Sequence, residues 1–264
     1  MVRMLQAYGV RHIFGLCGDT SLPFYDALHG LDHGMQHILT RDERSAGYMA
    51  DAYARVTGKV GVCEGPSGGG ATHILPGLVE ASESSIPVLG ITTDISTAGR
   101  GHYALTELDQ QELFRPLTKW NSVIDRAAHL PSQVRAAFRA MTTGRPGAAH
   151  LGLPFDVQKE AVPESDLWTQ PDFGSYPALS TAPDPVGVDA LLAAMLSARN
   201  PVIVCGGGVV IAGGESTLTE FAATLNLPVA TTISGQGSLP ETHPHCVGGA
   251  APDDPGQPAR AGNR

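Results

Sequence analysis

Four places in the sequence combine residue types that could do chemistry. Thr40-Arg41-Asp42-Glu43 opens a run in which Ala46, Met49, Ala50, Tyr53 and Ala54 recur at helical spacing. A carboxyl in the first turn of such a helix has two uses. In a Thr-x-x-Glu capping box, Thr40 would cap the helix and Glu43 would only accept a backbone N–H. In a dry pocket, Glu43 would hold or move a proton for a bound molecule. Ser67-Gly68-Gly69-Gly70-Ala71-Thr72, followed by His73, is the second place. Such a turn can cradle an anion at a helix start, or can need glycine only for steric reasons. A single histidine such as His73 is commonly structural. Third, Gly206-x-Gly208-x-x-Ile211 starts like a dinucleotide fingerprint but ends in Ile rather than Gly. Fourth, His243-x-His245-Cys246 offers metal-ligand types, although Pro244 between the histidines reads as a turn.

The elements that must position these groups alternate between strand and helix. Short apolar runs mark strands at Arg11 to Phe14, Gln36 to Leu39, Val60 to Cys63, Pro87 to Thr92, Asn121 to Ile124 and Ala148 to Leu151. A helix is expected from Thr40, its N-cap, to a stop at Gly58. Another runs from Pro131 to Met141, with Val134, Ala137, Phe138 and Met141 inward. Such alternation predicts an α/β fold with a parallel sheet flanked by helices. Residues 1–158 form this first domain. Residues 159–185, rich in Pro, Ser, Thr and acids, read as a linker. Residues 186–249 begin a second, Rossmann-like domain, incomplete in length. Helices are expected at Val186 to Ser197 and Glu215 to Leu225, and strands at Pro201 to Cys205 and Pro228 to Thr232. Residues 250–264 carry no aliphatic or aromatic side chain larger than Ala and are expected to be a disordered tail.

Composition narrows the function. The formal charge of −9 argues against nucleic acid and anionic membranes as partners. No stretch has the length and purity of a membrane span. Cys17, Cys63, Cys205 and Cys246 are far apart and suggest neither a disulfide framework nor zinc, which suits a cytoplasmic setting.

Taken in order, the motifs resemble thiamine-diphosphate enzymes of the acetolactate synthase type. Val10 to Gly18 is similar to the family's opening strand and turn, and Arg41 to Arg55 to its glutamate helix. Ser67 to Thr72 resembles its Gly-rich turn. Phe114 to Trp120, Gly144 to Leu151, and Pro228 to Thr232 with Pro240 to Pro244 follow in family order. The resemblance implies that this first domain holds the aminopyrimidine of thiamine diphosphate and that Glu43 activates it. Gly18, Gly68, Gly69, Gly70 and His73 would line the cofactor. The activity implied is decarboxylation or carboligation of a small 2-keto acid. Two departures stand out. The family pattern Ser-Gly-Pro-Gly-Ala-Thr-Asn here has Gly69 and His73, which implies a looser turn. A Phe-Gln pair that shapes the substrate side is replaced by Leu105-Thr106, which leaves the acceptor open.

In the family a third domain grips magnesium and the diphosphate through Gly-Asp-Gly and Asn-Asn, and those segments do not occur here. The resemblance therefore implies either a truncated chain or one subunit of a split enzyme; the alternatives are a non-catalytic nucleotide-binding module, with the Gly206 turn as its site and Glu43 as a cap, and an inactive remnant that associates with an intact relative. A partner chain in a homo- or hetero-oligomer would supply the diphosphate-binding half. Some family members hold FAD in the central domain, some ADP and many nothing; the incomplete Gly206 fingerprint makes the last the expectation.

Overall fold

The computed structural model describes residues 1–250. They form two units, one of residues Met1–Leu179 and one beginning at Ser180. The division falls inside the segment expected to be a linker. The expected tail, from residue 251 on, lies outside the described residues.

The first unit runs α1 (Val2–Ala7), β1 (His12–Gly15), α2 (Leu22–Gly30), β2 (Gln36–Leu39), α3 (Glu43–Thr57), β3 (Gly61–Gly65), α4 (Gly69–His73), α5 (Leu75–Glu83), β4 (Val88–Asp94), α6 (Gln110–Phe114), β5 (Trp120–Val123), α7 (Leu130–Thr142) and β6 (Ala149–Pro154). All six strands are parallel, in the order β2-β1-β3-β4-β6-β5. Each strand starts within one residue of its apolar run in the sequence, while β4 and β6 continue to Asp94 and Pro154.

Alternation along the strands makes two core faces. Ile13, Val62, Leu89 and Leu151 point to one, against Phe138 and Met141 of α7. Phe14, Cys63 and Val88 point to the other, against Ala46, Ala50 and Ala54 of α3 and Ile74 and Leu78 around α5. Small residues let α3 lie on α5: a Cβ at Gly77 would stand 2.6 Å from the Gly47 Cα. Met49, expected on the inner side of α3, is 43% exposed, and Gly47 and Asp51 are buried there instead. The helix ends at Gly58 in the left-handed region, φ 67°.

Residues 159–179 pack on this unit. Phe173 joins its core, the Tyr176 N–H donates to the Gly58 carbonyl, and the Ala178 N–H to the Thr142 carbonyl.

The second unit contains α8 (Pro185–Ser197), β7 (Ile203–Cys205), α9 (Gly207–Ile211), α10 (Glu215–Leu225), β8 (Val229–Thr231) and β9 (Cys246–Gly249). Its strands are parallel in the order β7-β8-β9, around a small core of Cys205, Ala222, Val229 and Leu239. Strand β9 lacks an aliphatic run in sequence, which is why only β7 and β8 were legible.

Candidate functional site

Three of the predicted site segments meet at the carboxyl ends of three adjacent strands. Gly18 follows β1, Glu43 follows β2, and Gly68 to Gly70 follow β3. From β1 the chain moves outward to β2 and then crosses to β3 on the other side. Ligands of parallel α/β sheets sit at such a reversal, beyond the carboxyl ends of the strands.

Glu43 is the first residue of α3 and only 8% exposed. It does not take part in a capping box. The cap is Asp42, whose side chain accepts the Arg44 N–H, so the expected cap at Thr40 is corrected. Thr40 Oγ1 is buried without a hydrogen-bond partner. An extended Asp42, with φ −162°, turns its own carboxylate to the helix end and leaves Glu43 free to face the next turn. Two-pronged hydrogen bonding from Arg44 holds the Asp42 carboxyl down at about 2. His73 Nδ1 lies 3.2 Å from Glu43 Oε2. On the other side, a Cβ at Gly70 would stand 3.2 Å from Glu43 Oε1. The oxygen Oε1 therefore faces a space that the glycine keeps open.

The Gly-rich turn is more firmly held than the missing family proline suggests. Pro66 packs on both sides: Cβ atoms at Gly18 and Gly70 would stand 2.5 and 2.4 Å from its ring. Gly68 has φ +64°, and a Cβ there would meet Thr106 at 2.8 Å. Thr20 donates to Ser67 Oγ, and Ser67 Oγ is 2.7 Å from Thr106 Oγ1. Of the three glycines in the turn, only Gly69 could carry a Cβ that meets no atom within 4 Å. So Gly18, Gly68 and Gly70 are sterically required, and Gly69 is not.

Sequence reasoning missed a second carboxyl beneath this turn. Glu64 on β3 is fully buried. Ser21 Oγ stands 2.5 Å from Oε1 and the Tyr25 hydroxyl 2.7 Å from Oε2. Gly15, paired with Glu64 across the sheet, makes room for it: a Cβ there would be 2.9 Å from both Glu64 Oε2 and the Tyr25 hydroxyl. Burial and the nearby Glu43 push Glu64 up to about 7, against the opposing hydrogen bonds. The available signal was a charge inside the apolar strand run Gly-Val-Cys-Glu-Gly.

A second candidate within the first unit does not include Glu43 or the Gly-rich turn. A cleft of about 390 Å³ is lined by Asp94, Arg100, Glu107, Gln110, Arg115 and Val123, and Glu43 is not in its wall. In the second unit, Gly207 accommodates a close approach: its Cβ would stand 3.0 Å from the Ser234 carbonyl. Packing therefore explains Gly207, whereas a Cβ at Gly208 would meet no atom within 4 Å. His243 and His245 flank a turn closed by the Cys246 N–H donating to the His243 carbonyl. Among the described residues, no helix is long and apolar enough to cross a membrane.

Comparison with known proteins bears on the whole arrangement. Residues 1–113 match the model of the thiamine pyrophosphate enzyme N-terminal TPP binding domain, and residues 188–256 that of the thiamine pyrophosphate enzyme central domain. The chain is 40% identical over 250 residues to a probable acetolactate synthase large subunit of Methanocaldococcus jannaschii, covering 94% of this chain and 42% of the relative. A probable acetolactate synthase large subunit of Methanococcus aeolicus is 38% identical over 252 residues, 94% of this chain and 41% of its own length. The acetolactate synthase isozyme 3 large subunit of Escherichia coli is 34% identical over 252 residues, 94% of this chain and 43% of its own. The chain thus spans about two-fifths of the length of these curated relatives.

Proposed function

This chain belongs to the thiamine pyrophosphate enzyme family, and from that premise we propose that its first unit holds the aminopyrimidine ring of thiamine diphosphate, with Glu43 touching the ring. The observation that carries this reading is the placement of Glu43. It is buried, not used as a helix cap, and turns Oε1 into the space kept open by Gly70. A ring nitrogen fits a carboxyl oxygen with that exposure, and a flat ring fits against a turn whose glycines lack side chains. The residues present therefore suit the cofactor's pyrimidine end.

When bound, thiamine diphosphate supplies a nucleophilic carbon for a 2-keto acid and an electron sink as carbon dioxide leaves. With the cofactor bound, Glu43 would hold a proton toward the ring nitrogen and so supply the hydrogen bond that makes the ring's amine a better base. His73 restrains the other oxygen of Glu43 from the solvent side. Gly68 and Gly70 would let a flat ring approach the backbone, and Pro66 packs against Gly70. A dry, preorganised carboxyl is worth more than one in water.

Magnesium and the diphosphate would be held by residues outside these 264, on a longer chain or on a second one. Leu39 at the end of β2, and Tyr48 and Met49 on α3, are exposed apolar groups that suit a second protein surface beside the site. The reaction class is decarboxylation or carboligation of a small 2-keto acid, as the relatives' names suggest. Four free cysteines suit a reducing cytoplasm.

The test is Glu43→Gln, assayed with the diphosphate-binding half supplied. Turnover should fall by roughly a hundredfold or more, with unfolding unchanged. Turnover equal to wild type would refute the role of Glu43.

A further inference from the structure

A continuous line of hydrogen bonds runs beneath the Gly-rich turn, and Glu64 sits in its middle. On one side, Tyr25 of α2 joins Glu64 Oε2 to His37 Nε2 of edge strand β2, at 2.7 and 2.9 Å. On the other, Ser21 Oγ lies 2.5 Å from Oε1 and 3.1 Å from the Thr93 hydroxyl. Thr93 is 2.8 Å from Thr20, which donates to Ser67 Oγ at 3.1 Å. Ser67 is 2.7 Å from the Thr106 hydroxyl, which donates to the Leu105 carbonyl. Glu64, Ser21 and Thr93 have no exposed surface, whereas His37 is half-buried and Thr106 is exposed. The line therefore has a buried centre and two ends within reach of solvent.

We propose that Glu64 is the proton store of a relay from His37 at the sheet edge to Thr106 at the mouth of the Gly-rich turn. The proposed use of the relay, though not its existence, rests on the reading that this turn faces the cofactor.

Donor directions support the proposal. With a protonated Glu64, every group can give one hydrogen bond and accept one, in a single sense. His37 Nε2 donates to Tyr25, Tyr25 to Oε2, the Oε1 hydroxyl to Ser21, Ser21 to Thr93, Thr93 to Thr20, Thr20 to Ser67, Ser67 to Thr106, and Thr106 to the Leu105 carbonyl. An ionised Glu64 breaks this pattern, because both neighbours must then donate towards it. A buried carboxyl without a cation beside it favours the protonated form. The titratable groups around it are Tyr25, Glu43, Cys17 and Cys63, with His37 behind Tyr25. None of these carries positive charge at neutral pH, burial holding His37 below its usual value.

Transfer balances without any redox change. A proton enters at the imidazole from water while Nε2 passes its proton to Tyr25. Each hydroxyl then loses one proton and gains one. Thr106 releases a proton to a basic atom of a substrate lying against the turn. Rotation of the hydroxyls, a turn of the Glu64 carboxyl that returns its proton to the Ser21 side, and exchange of the His37 tautomer through water restore the original sense.

The experiment uses the full chain without cofactor, so it succeeds or fails independently of thiamine binding. Infrared difference spectra after a pH jump follow the carbonyl stretch of protonated Glu64. Glu64→Gln assigns that band by removing it. In wild type, the band should vanish quickly as pH is raised through neutrality. Tyr25→Phe and Thr93→Val each cut one arm and keep the volume, so each should slow the response, and the double variant should slow it by roughly a hundredfold. Folding of each variant is checked by amide spectra, and either single variant suffices if the other is unstable. Rates unchanged in the folded variants, or a Glu64 that is ionised throughout, would overturn the relay.

Discussion

The carboxyl of Glu43 and the backbone of Gly70 are so placed that a methyl group at position 70 would stand 3.2 Å from Oε1. It would also meet the Pro66 ring at 2.4 Å. Gly70→Ala should therefore cost about 1–3 kcal/mol through overpacking. Gly69→Ala meets no atom within 4 Å and lies at the start of α4. It should be neutral, or more stable by about 0.5–1 kcal/mol. Urea unfolding of the two variants checks this pair. Equal stabilities would show that the turn is looser than described.

Gly68 combines a left-handed backbone, φ +64°, with Thr106 at 2.8 Å from a would-be Cβ. With ψ at −114° it lies outside the left-handed helical well, so Gly68→Ala should cost about 1–3 kcal/mol from the backbone alone. Adding Thr106→Gly should recover part of the loss, because the steric contact is with that residue. No recovery in a double-mutant cycle would place the cost entirely in φ.

Helix capping separates Asp42 from Thr40. Asp42→Ala removes the acceptor of the Arg44 N–H and should lower the melting temperature. Thr40→Val removes a buried hydroxyl without a partner and should leave stability within about 0.5 kcal/mol or raise it. The opposite ranking in thermal scans would restore Thr40 as the cap.

Much of this was legible beforehand. Apolar runs located all six strands of the first sheet; β3, β4 and β6, buried on both faces, read as continuous segments, while the edge strands β2 and β5 are only partly buried and show shorter runs. Gly58 as a helix stop and the inner face of α7 were equally plain, since both depend on local pattern. The identity of the cap was not. Thr40, Asp42 and Glu43 are all plausible near a helix start, and only the extended backbone at Asp42 decides between them. Glu64 escaped notice because its partners come from separate elements: Ser21 before α2, Tyr25 on α2 and Gly15 on β1. No local spacing encodes that convergence.

Two buried groups give opposite slopes of stability with pH. Burial pushes His150 down from 6.5 to about 3. Between those values the unfolded chain binds the extra proton, so stability is lost as pH falls through this window. Burial and Glu43 push Glu64 up from 4.5 to about 7. There the folded chain holds the extra proton, so stability is fully present below the window and declines as pH rises through it. Glu64→Gln should remove that second decline, about 3 kcal/mol, and leave the acid limb intact. Chemical denaturation across the pH range reads both limbs. A variant profile parallel to wild type would mean that Glu64 is not protonated in the fold.

The most direct test of the site is a titration of the isotope-labelled chain with thiamine diphosphate and magnesium, followed through backbone amide resonances. The expected result is a set of shifts at Gly18, Glu43, Gly68 and Gly70, lost in Glu43→Gln, even if binding by this half of the site is weak. Shifts confined to the Gly206 turn, or shifts at the Gly-rich turn that survive Glu43→Gln unchanged, would contradict the account.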